Sequence, residues 1–250
     1  MTKILLSGCC GKMGRNVIEA VKQRKDCEIV AGVDIIEDSS IGFPVFQSYS
    51  EVNIKADVVI DFSNPALLSD MLDFAKVSKA SVVLATTGYS EEQIKEIEAT
   101  SKEIAIFFSY NMSLGVSLLC ELSKTAAKIL GADFDVEIVE AHHNQKLDAP
   151  SGTAIMLANA VKEELSDAYF EYDRHSKRQK RNGNEIGIHS IRGGTIVGEH
   201  EVIFAGNDEI VKLSHSARSK AIFAQGAVNA ASFINGKGAG VYNMSDLVNE

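Results

Sequence analysis

Ile4-Leu5-Leu6-Ser7-Gly8-Cys9-Cys10-Gly11-Lys12-Met13-Gly14 is the stretch on which the fold turns. Three apolar residues make a short strand and a glycine-rich turn follows. From Lys12 to about Lys25 the apolar Val17, Ile18 and Val21 recur at helical spacing. Such a helix offers its first free N–H groups and its positive dipole end at the edge of a sheet, which suits a pyrophosphate. The spacing is G-x-x-G-x-x-G rather than G-x-G-x-x-G, so the string alone reads equally well as a tight turn without a ligand. The context favours a dinucleotide. Ile29–Val33 is the next strand, and Asp34 ends it 20 positions after Gly14, where an acid accepts hydrogen bonds from the adenosine ribose. Ile35 and Ile36 follow, with no arginine to pair with a 2′-phosphate. NADH is therefore the expected preferred cofactor, with NADPH possible because Lys12 compensates in part.

Working outward, Val58–Phe62, Val82–Ala85 and Ile104–Phe108 are further apolar strands. Asn64-Pro65 opens one intervening helix, and Ser90 with Gln93 forms a capping box for another that runs to about Lys102. Continuous apolar strands alternating with helices imply a parallel sheet covered on both faces. After Asn111 the texture changes. Leu114, Leu118, Leu122 and Ile129 mark one long helix, Phe134–Ala141 alternates apolar with acidic residues, and a helix runs from near Ser151 to Leu165. Ile186–Ile191, Val202–Ala205 and Ile210–Leu213 are strands, the last two joined by a Gly206-Asn207-Asp208 turn. Lys220–Ile234 is an amphipathic helix expected to fold back onto the first unit. The fold class is α/β: an N-terminal Rossmann-type parallel sheet domain (1–112 and 220–250) and an α+β substrate domain with an open mixed sheet (113–219).

The chain has 250 residues, 45% of them hydrophobic, which is enough for a sizeable core. A net charge of -9 excludes a general nucleic-acid binder and means an anionic ligand needs a local positive site. No apolar run approaches the ~20 residues of a membrane span. Cys9, Cys10, Cys27 and Cys120 fit neither a zinc nor a disulfide spacing, and the start shows no leader pattern. Reduced thiols in a cytoplasmic protein are the expectation.

Two small polar loops follow strands at the edge where open α/β sheets bind ligands, Thr86-Thr87-Gly88 and Ser109-Tyr110-Asn111-Met112. They are expected to flank the nicotinamide half. The densest polar cluster is Glu140-Ala141-His142-His143-Asn144-Gln145-Lys146-Leu147-Asp148-Ala149-Pro150-Ser151-Gly152-Thr153-Ala154. It holds three proton donors or cations and ends in a Ser-Gly-Thr turn opening a helix, a second potential anion site. A reductase for a small carboxylated substrate needs carboxylate donors and an acid, and histidine and lysine supply these. A zinc site is not expected, because His142-His143 lacks a third ligand at metal spacing. The basic stretch Arg174–Arg181 reads as a solvated loop, or as added positive potential near an anionic substrate.

The Glu140–Ala154 string resembles the signature of the 4-hydroxy-tetrahydrodipicolinate (dihydrodipicolinate) reductase family. Gly8–Gly14, Thr86–Gly88, Asn111, Arg192-Gly193-Gly194, Ile196–His200 and His215–Phe223 are similar to family segments in family order. The resemblance implies reduction of a cyclic imine dicarboxylate with NADH or NADPH and overall release of water, in lysine biosynthesis. It also implies a homotetramer built through the substrate-domain sheets, and closure over bound ligands. Carried over, His142 is the proton donor and Lys146 a second donor that steadies developing charge. His143, Gly152 and Thr153 bind substrate. Gly8, Cys9, Cys10, Gly11, Lys12, Met13, Asp34, Thr86, Thr87, Gly88, Ser109, Tyr110, Asn111 and Met112 contact the cofactor. Two alternatives stand beside it. One is another two-domain dehydrogenase, although Cys120, the only cysteine of the second half, lies mid-helix. The other is a non-catalytic NAD-binding sensor with no need of His142 or Lys146.

Overall fold

The computed structural model describes residues 1–36 and 38–250. Its elements run β1 (Thr2–Ser7), α1 (Lys12–Lys22), β2 (Cys27–Val33), β3 (Val45–Phe46), β4 (Val58–Asp61), α2 (Leu68–Ser78), β5 (Ser81–Leu84), α3 (Glu91–Thr100), β6 (Ala105–Phe108), α4 (Leu114–Leu130), β7 (Asp135–His142), α5 (Gly152–Glu164), β8 (Tyr169–Glu171), β9 (Glu185–Arg192), β10 (Gly198–Ala205), β11 (Ile210–Ala217), α6 (Ala221–Ile234), β12 (Gly240–Tyr242) and α7 (Met244–Val248). Two compact units result, Met1–Leu114 with Lys220–Glu250, and Gly115–Ser219.

In the first unit a seven-stranded parallel sheet has the order β12-β6-β5-β4-β1-β2-β3. The order reverses between β1 and β4, so the C-terminal ends of these strands form the crevice where doubly wound sheets take ligands. One face buries Val17, Ile18 and Val21 of α1 with Ala224, Ala227, Val228 and Ala231 of α6. The other buries Leu68, Met71 and Leu72 of α2 with Ile97 of α3. Helix α6 can lie close because its inner face is small: a Cβ on Gly226 would stand 1.6 Å from the Met112 carbonyl oxygen. Helix α6 packs in the core of the first unit. Ser90 and Gln93 form the full capping box, and the Asn64 side chain caps the turn opened by Pro65.

The second unit holds a mixed sheet of order β11-β10-β7-β9-β8 with β7 at its centre. β7 runs parallel to β9 and antiparallel to β10. Its inner face packs Val136, Ile138, Ile188, Val202 and Phe204 against Leu157, Ala158 and Val161 of α5. Helix α4 departs from the sequence reading in one respect. Leu114, Leu118, Leu122 and Ile129, the stripe that announces the helix, are 43–75% exposed. The buried side is Val116, Ser117, Leu119, Ser123 and Ala127, whose small residues carry almost no hydropathy signal. The short strands β3, β8 and β12 also escape sequence reading, because two or three residues are too few for a period to show.

Candidate active site

The glycine turn is shaped by close backbone approach. Gly8 has φ +73°, and a Cβ there would lie 2.5 Å from the Phe62 carbonyl oxygen at the end of β4. A Cβ on Gly14 would lie 2.2 Å from the Gly8 carbonyl oxygen, so glycine at both positions lets α1 start directly against the strand crossover. Gly11 caps α1 without any side-chain hydrogen bond, leaving the first N–H groups of the helix for a ligand. Asp34 turns back to this turn: its carboxylate accepts from the Cys10 N–H at 2.9 Å and the Ile36 N–H at 3.1 Å. These features fit the pyrophosphate and ribose of a dinucleotide. Sequence reasoning missed Gly32, where a Cβ would meet Cys9 Sγ at 2.5 Å. It is a glycine within a strand, and that was the available signal.

Cys9, Cys10 and Asp34 bring three ligand-type atoms within 4.8 Å of one another, a convergence the cysteine spacing alone does not reveal. Burial pushes the Cys9 thiol up to about 12, reinforced by Cys10 and Asp34, and Cys9 sits in the apolar core, so these atoms build the turn.

Thr86 is buried at the end of β5, Thr87 and Gly88 are exposed, and Gly88 has φ +88°. Beside them sits an acid that sequence reading did not single out. Asp61 is 2% exposed and accepts from Ser63 Oγ at 2.5 Å and from Tyr89 Oη at 3.2 Å. After β6, Ser109 Oγ donates to the Asn111 carbonyl at 3.1 Å, and Asn111 Oδ1 accepts from the Ser113 N–H. Tyr110 is exposed, whereas the Met112 side chain is buried in the core, so Met112 can offer a ligand only its backbone.

In the second unit the polar segment leaves β7 at His142 and turns to α5. His142 is 9% exposed, and its Nδ1 lies 2.6 Å from Glu140 Oε2. Glu140 is fully buried and also takes a two-pronged bond from Arg192, at 2.7 and 2.8 Å, and the Ser151 N–H at 3.1 Å. Burial alone would raise the Glu140 carboxyl. The donors of Arg192, Ser190, His142 and Ser151 outweigh it and hold it at about 2. Lys146 Nζ lies 2.9 Å from Asp148 Oδ1, which holds the Asp148 carboxyl below its usual range. His143 Nδ1 is buried without a hydrogen-bond partner among the described residues. Ser151 caps α5 through the Ala154 N–H, and open space surrounds Gly152 where a Cβ would stand. The segment thus gathers His142, His143, Lys146 and the N-terminus of α5 in one unit.

Two histidines on neighbouring strands were not singled out. His200 Nε2 lies 3.0 Å from Ser151 Oγ, and its ring meets the His142 ring edge-on at 5.2 Å. Burial, helped by His142, lowers His200 to about 4, so it is neutral near pH 7. His215 pairs with His200 across β10 and β11 and is lowered by burial.

The basic stretch is a loop in which Arg178 and Lys180 are exposed and three other cations are spent on structure. Arg174 pairs with the buried Glu185 at 2.8 Å, Lys177 pairs with Glu171, and Arg181 bonds Asp135, Glu137 and the carbonyls of Val136 and Glu185. Its three pairing residues therefore offer no charge to an anionic substrate.

Profiles of the dihydrodipicolinate reductase N-terminus and C-terminus match residues 2–112 and 115–248. The chain belongs to the dihydrodipicolinate reductase family. The 4-hydroxy-tetrahydrodipicolinate reductase of Clostridium novyi is 47% identical over 99% of this chain and 98% of its own. That of Caldanaerobacter subterraneus is 50% identical over the same shares. A solved, dipicolinate-bound dihydrodipicolinate reductase from Paenisporosarcina sp. TG-14 is 26% identical with TM-score 0.79, covering 97% of both chains. The α/β architecture with its second mixed sheet is the fold of this family, and members are nicotinamide-dependent reductases.

Proposed function

We infer that the chain reduces 4-hydroxy-tetrahydrodipicolinate, through dihydrodipicolinate, to tetrahydrodipicolinate with release of water, in lysine and diaminopimelate biosynthesis. The observation that carries this reading is the second unit's segment. It holds an imidazole tethered to a buried carboxylate, a lysine and the open start of a helix, the group set a cyclic dicarboxylate and its protonation require. The bound nicotinamide supplies the hydride. His142 donates the proton that completes the reduction, and Lys146 is a second donor that steadies negative charge on the reacting ring. The Gly152 and Thr153 N–H groups and the Thr153 hydroxyl hold one carboxylate. His143, with its unpartnered Nδ1, also contacts substrate. Gly8–Met13 and Asp34 hold the pyrophosphate and ribose, and Thr86–Gly88 with Ser109–Met112 hold the nicotinamide half.

Asp34 followed by Ile35 supports NADH as the preferred cofactor, since its carboxylate repels a 2′-phosphate. Comparing kcat/KM for the two cofactors tests this, and a strong NADPH preference refutes it. A homotetramer is supported by the sheet face of the second unit turned away from α5, which carries Val139, Ile191, Ile203 and Ile210; sedimentation as a monomer would refute it. The four free cysteines agree with a cytoplasmic location, and no described helix is long and apolar enough to cross a membrane. The reaction itself is tested by coupling: pyruvate and aspartate semialdehyde are supplied with the preceding synthase, and NADH absorbance is followed. No synthase-dependent loss of NADH would overturn the reading.

A further inference from the structure

We propose that Glu140 is a positioning residue that locks the His142 ring into a single tautomer, so that every proton His142 exchanges passes through Nε2. The proposal rests on the proton-donor role inferred above for His142. Glu140 and His142 are two residues apart on β7 and point to the same face. Both carboxylate oxygens of Glu140 are engaged. Oε1 accepts from Arg192 Nη2 at 2.7 Å and the Ser151 N–H at 3.1 Å, and Oε2 accepts from Arg192 Nη1 at 2.8 Å and lies 2.6 Å from His142 Nδ1. A carboxylate gripped from both sides by a guanidinium is ionised and can only accept. The hydrogen on Nδ1 is therefore the donor in this contact. Nε2 is then the nitrogen that is bare in the neutral ring and protonated in the charged one.

A separate observation concerns Nε2. It faces Gly198 at the start of β10, where an added Cβ would stand 3.1 Å from it. Any side chain there would crowd that nitrogen, and glycine leaves it uncovered. His200, edge-on to the ring, is neutral and does not compete for the Glu140 carboxylate. The same carboxylate ties the imidazole to the N-cap of α5 through the Ser151 N–H, so the proton donor and the helix that presents Gly152 and Thr153 share one anchor. The neighbouring Gly193 N–H bonds the His142 carbonyl at 2.9 Å, fixing the backbone on its other side.

The test uses full-length protein carrying 15N-labelled histidine, without cofactor or substrate. The His142 signals are assigned by their loss in His142→Asn. At the alkaline end of a pH series, where the ring is uncharged, the expected spectrum shows the proton on Nδ1. In Glu140→Gln, whose amide group would face two donors, that preference is lost, and kcat falls on the order of a hundredfold or more with little change in KM. Arg192→Lys, which keeps a cation beside Glu140, retains the tautomer. A wild-type spectrum with the proton on Nε2 overturns the proposal, whether or not Glu140→Gln folds. So does Glu140→Gln with an unchanged tautomer or an unchanged kcat. The spectrum is read without turnover, so absence of the reductase reaction would sink the function and leave this result standing.

Discussion

The glycine turn of the first unit and the His142 segment of the second are built by opposite means. The turn is a matter of exclusion. Gly8 and Gly14 exist because backbone oxygens stand 2.5 and 2.2 Å from where a Cβ would be, and its binding groups are backbone N–H donors left free at α1. The second segment is a matter of compensation. One buried carboxylate is neutralised by Arg192 and tied to His142 and Ser151. A steric site is indifferent to pH and hard to alter by one charge. A compensated site titrates, and it fails when any partner leaves.

The largest expected effect lies in the compensated half. Lys146→Ala removes a full charge and a donor while leaving the dinucleotide turn intact. Turnover should fall by about 10²–10⁴, the usual contribution of a positioned donor, with NADH affinity within about twofold of wild type. Steady-state kinetics with fluorescence titration of NADH separates the two quantities. Wild-type turnover would support a sensor without chemistry, and lost NADH affinity would mean that Lys146 serves the cofactor. Next is pH. His200 titrates near 6.5 when unfolded and at about 4 when folded, so between these values the unfolded chain binds more protons and stability falls as pH falls. From pH 7 to pH 5 this one residue should cost about 2 kcal/mol. Glu140, held at about 2, contributes above its unfolded value near 4 and loses that contribution only in stronger acid, so it does not mask the effect. Denaturant titrations of wild type and His200→Gln at the two pH values give the number. Equal pH slopes in both would remove His200 from the account.

The contrast also explains what was legible. Strand, glycines and helix are local, so residues 4–34 disclosed the first unit, and the long Glu140–Ala154 string disclosed the second. The partners that make the string work are distant in the chain. Arg192 reaches Glu140 from β9, 52 positions away, and His200 reaches Ser151 from β10, 49 positions away. No periodicity or spacing links them. The same blindness hid part of what the basic loop does: Arg178 and Lys180 stay exposed as a solvated loop implies, but the acids that engage Arg174 and Arg181, namely Glu185, Asp135 and Glu137, come from β9 and β7. Helix α4 was found through its exposed leucines and not its buried face, since Ser117, Ser123 and Ala127 pack by being small.

The steric half has its own test. Gly14→Ala places a methyl against the Gly8 carbonyl and the Cys9 backbone, atoms that cannot swing aside as a side-chain tip would. Overpacking of this kind costs about 1–3 kcal/mol and displaces α1, so NADH binding should weaken more than stability does. Calorimetric Tm and NADH titration compare the two. A variant with wild-type affinity would show that the turn yields easily and that exclusion is not what shapes it.

The smallest expected effect is the sharpest probe of the boundary between the two kinds of site, because Asp34 belongs to both. Its carboxylate is a structural acceptor for the Cys10 and Ile36 N–H groups and, on the proposed reading, the group that meets the ribose. Asp34→Asn removes the charge and keeps an oxygen for the turn. If repulsion of a 2′-phosphate sets the cofactor preference, the ratio of kcat/KM for NADPH to that for NADH should rise about tenfold, the worth of one partly screened charge contact of ~1–2 kcal/mol. Tm should fall modestly, since the single Asn oxygen can accept only one of the two backbone bonds and its NH2 would face the other N–H. A ratio that does not move, in a variant that still binds NADH, would transfer the selection from charge to the shape around Ile35 and Lys12. It would make even the carboxylate that braces the turn a steric device.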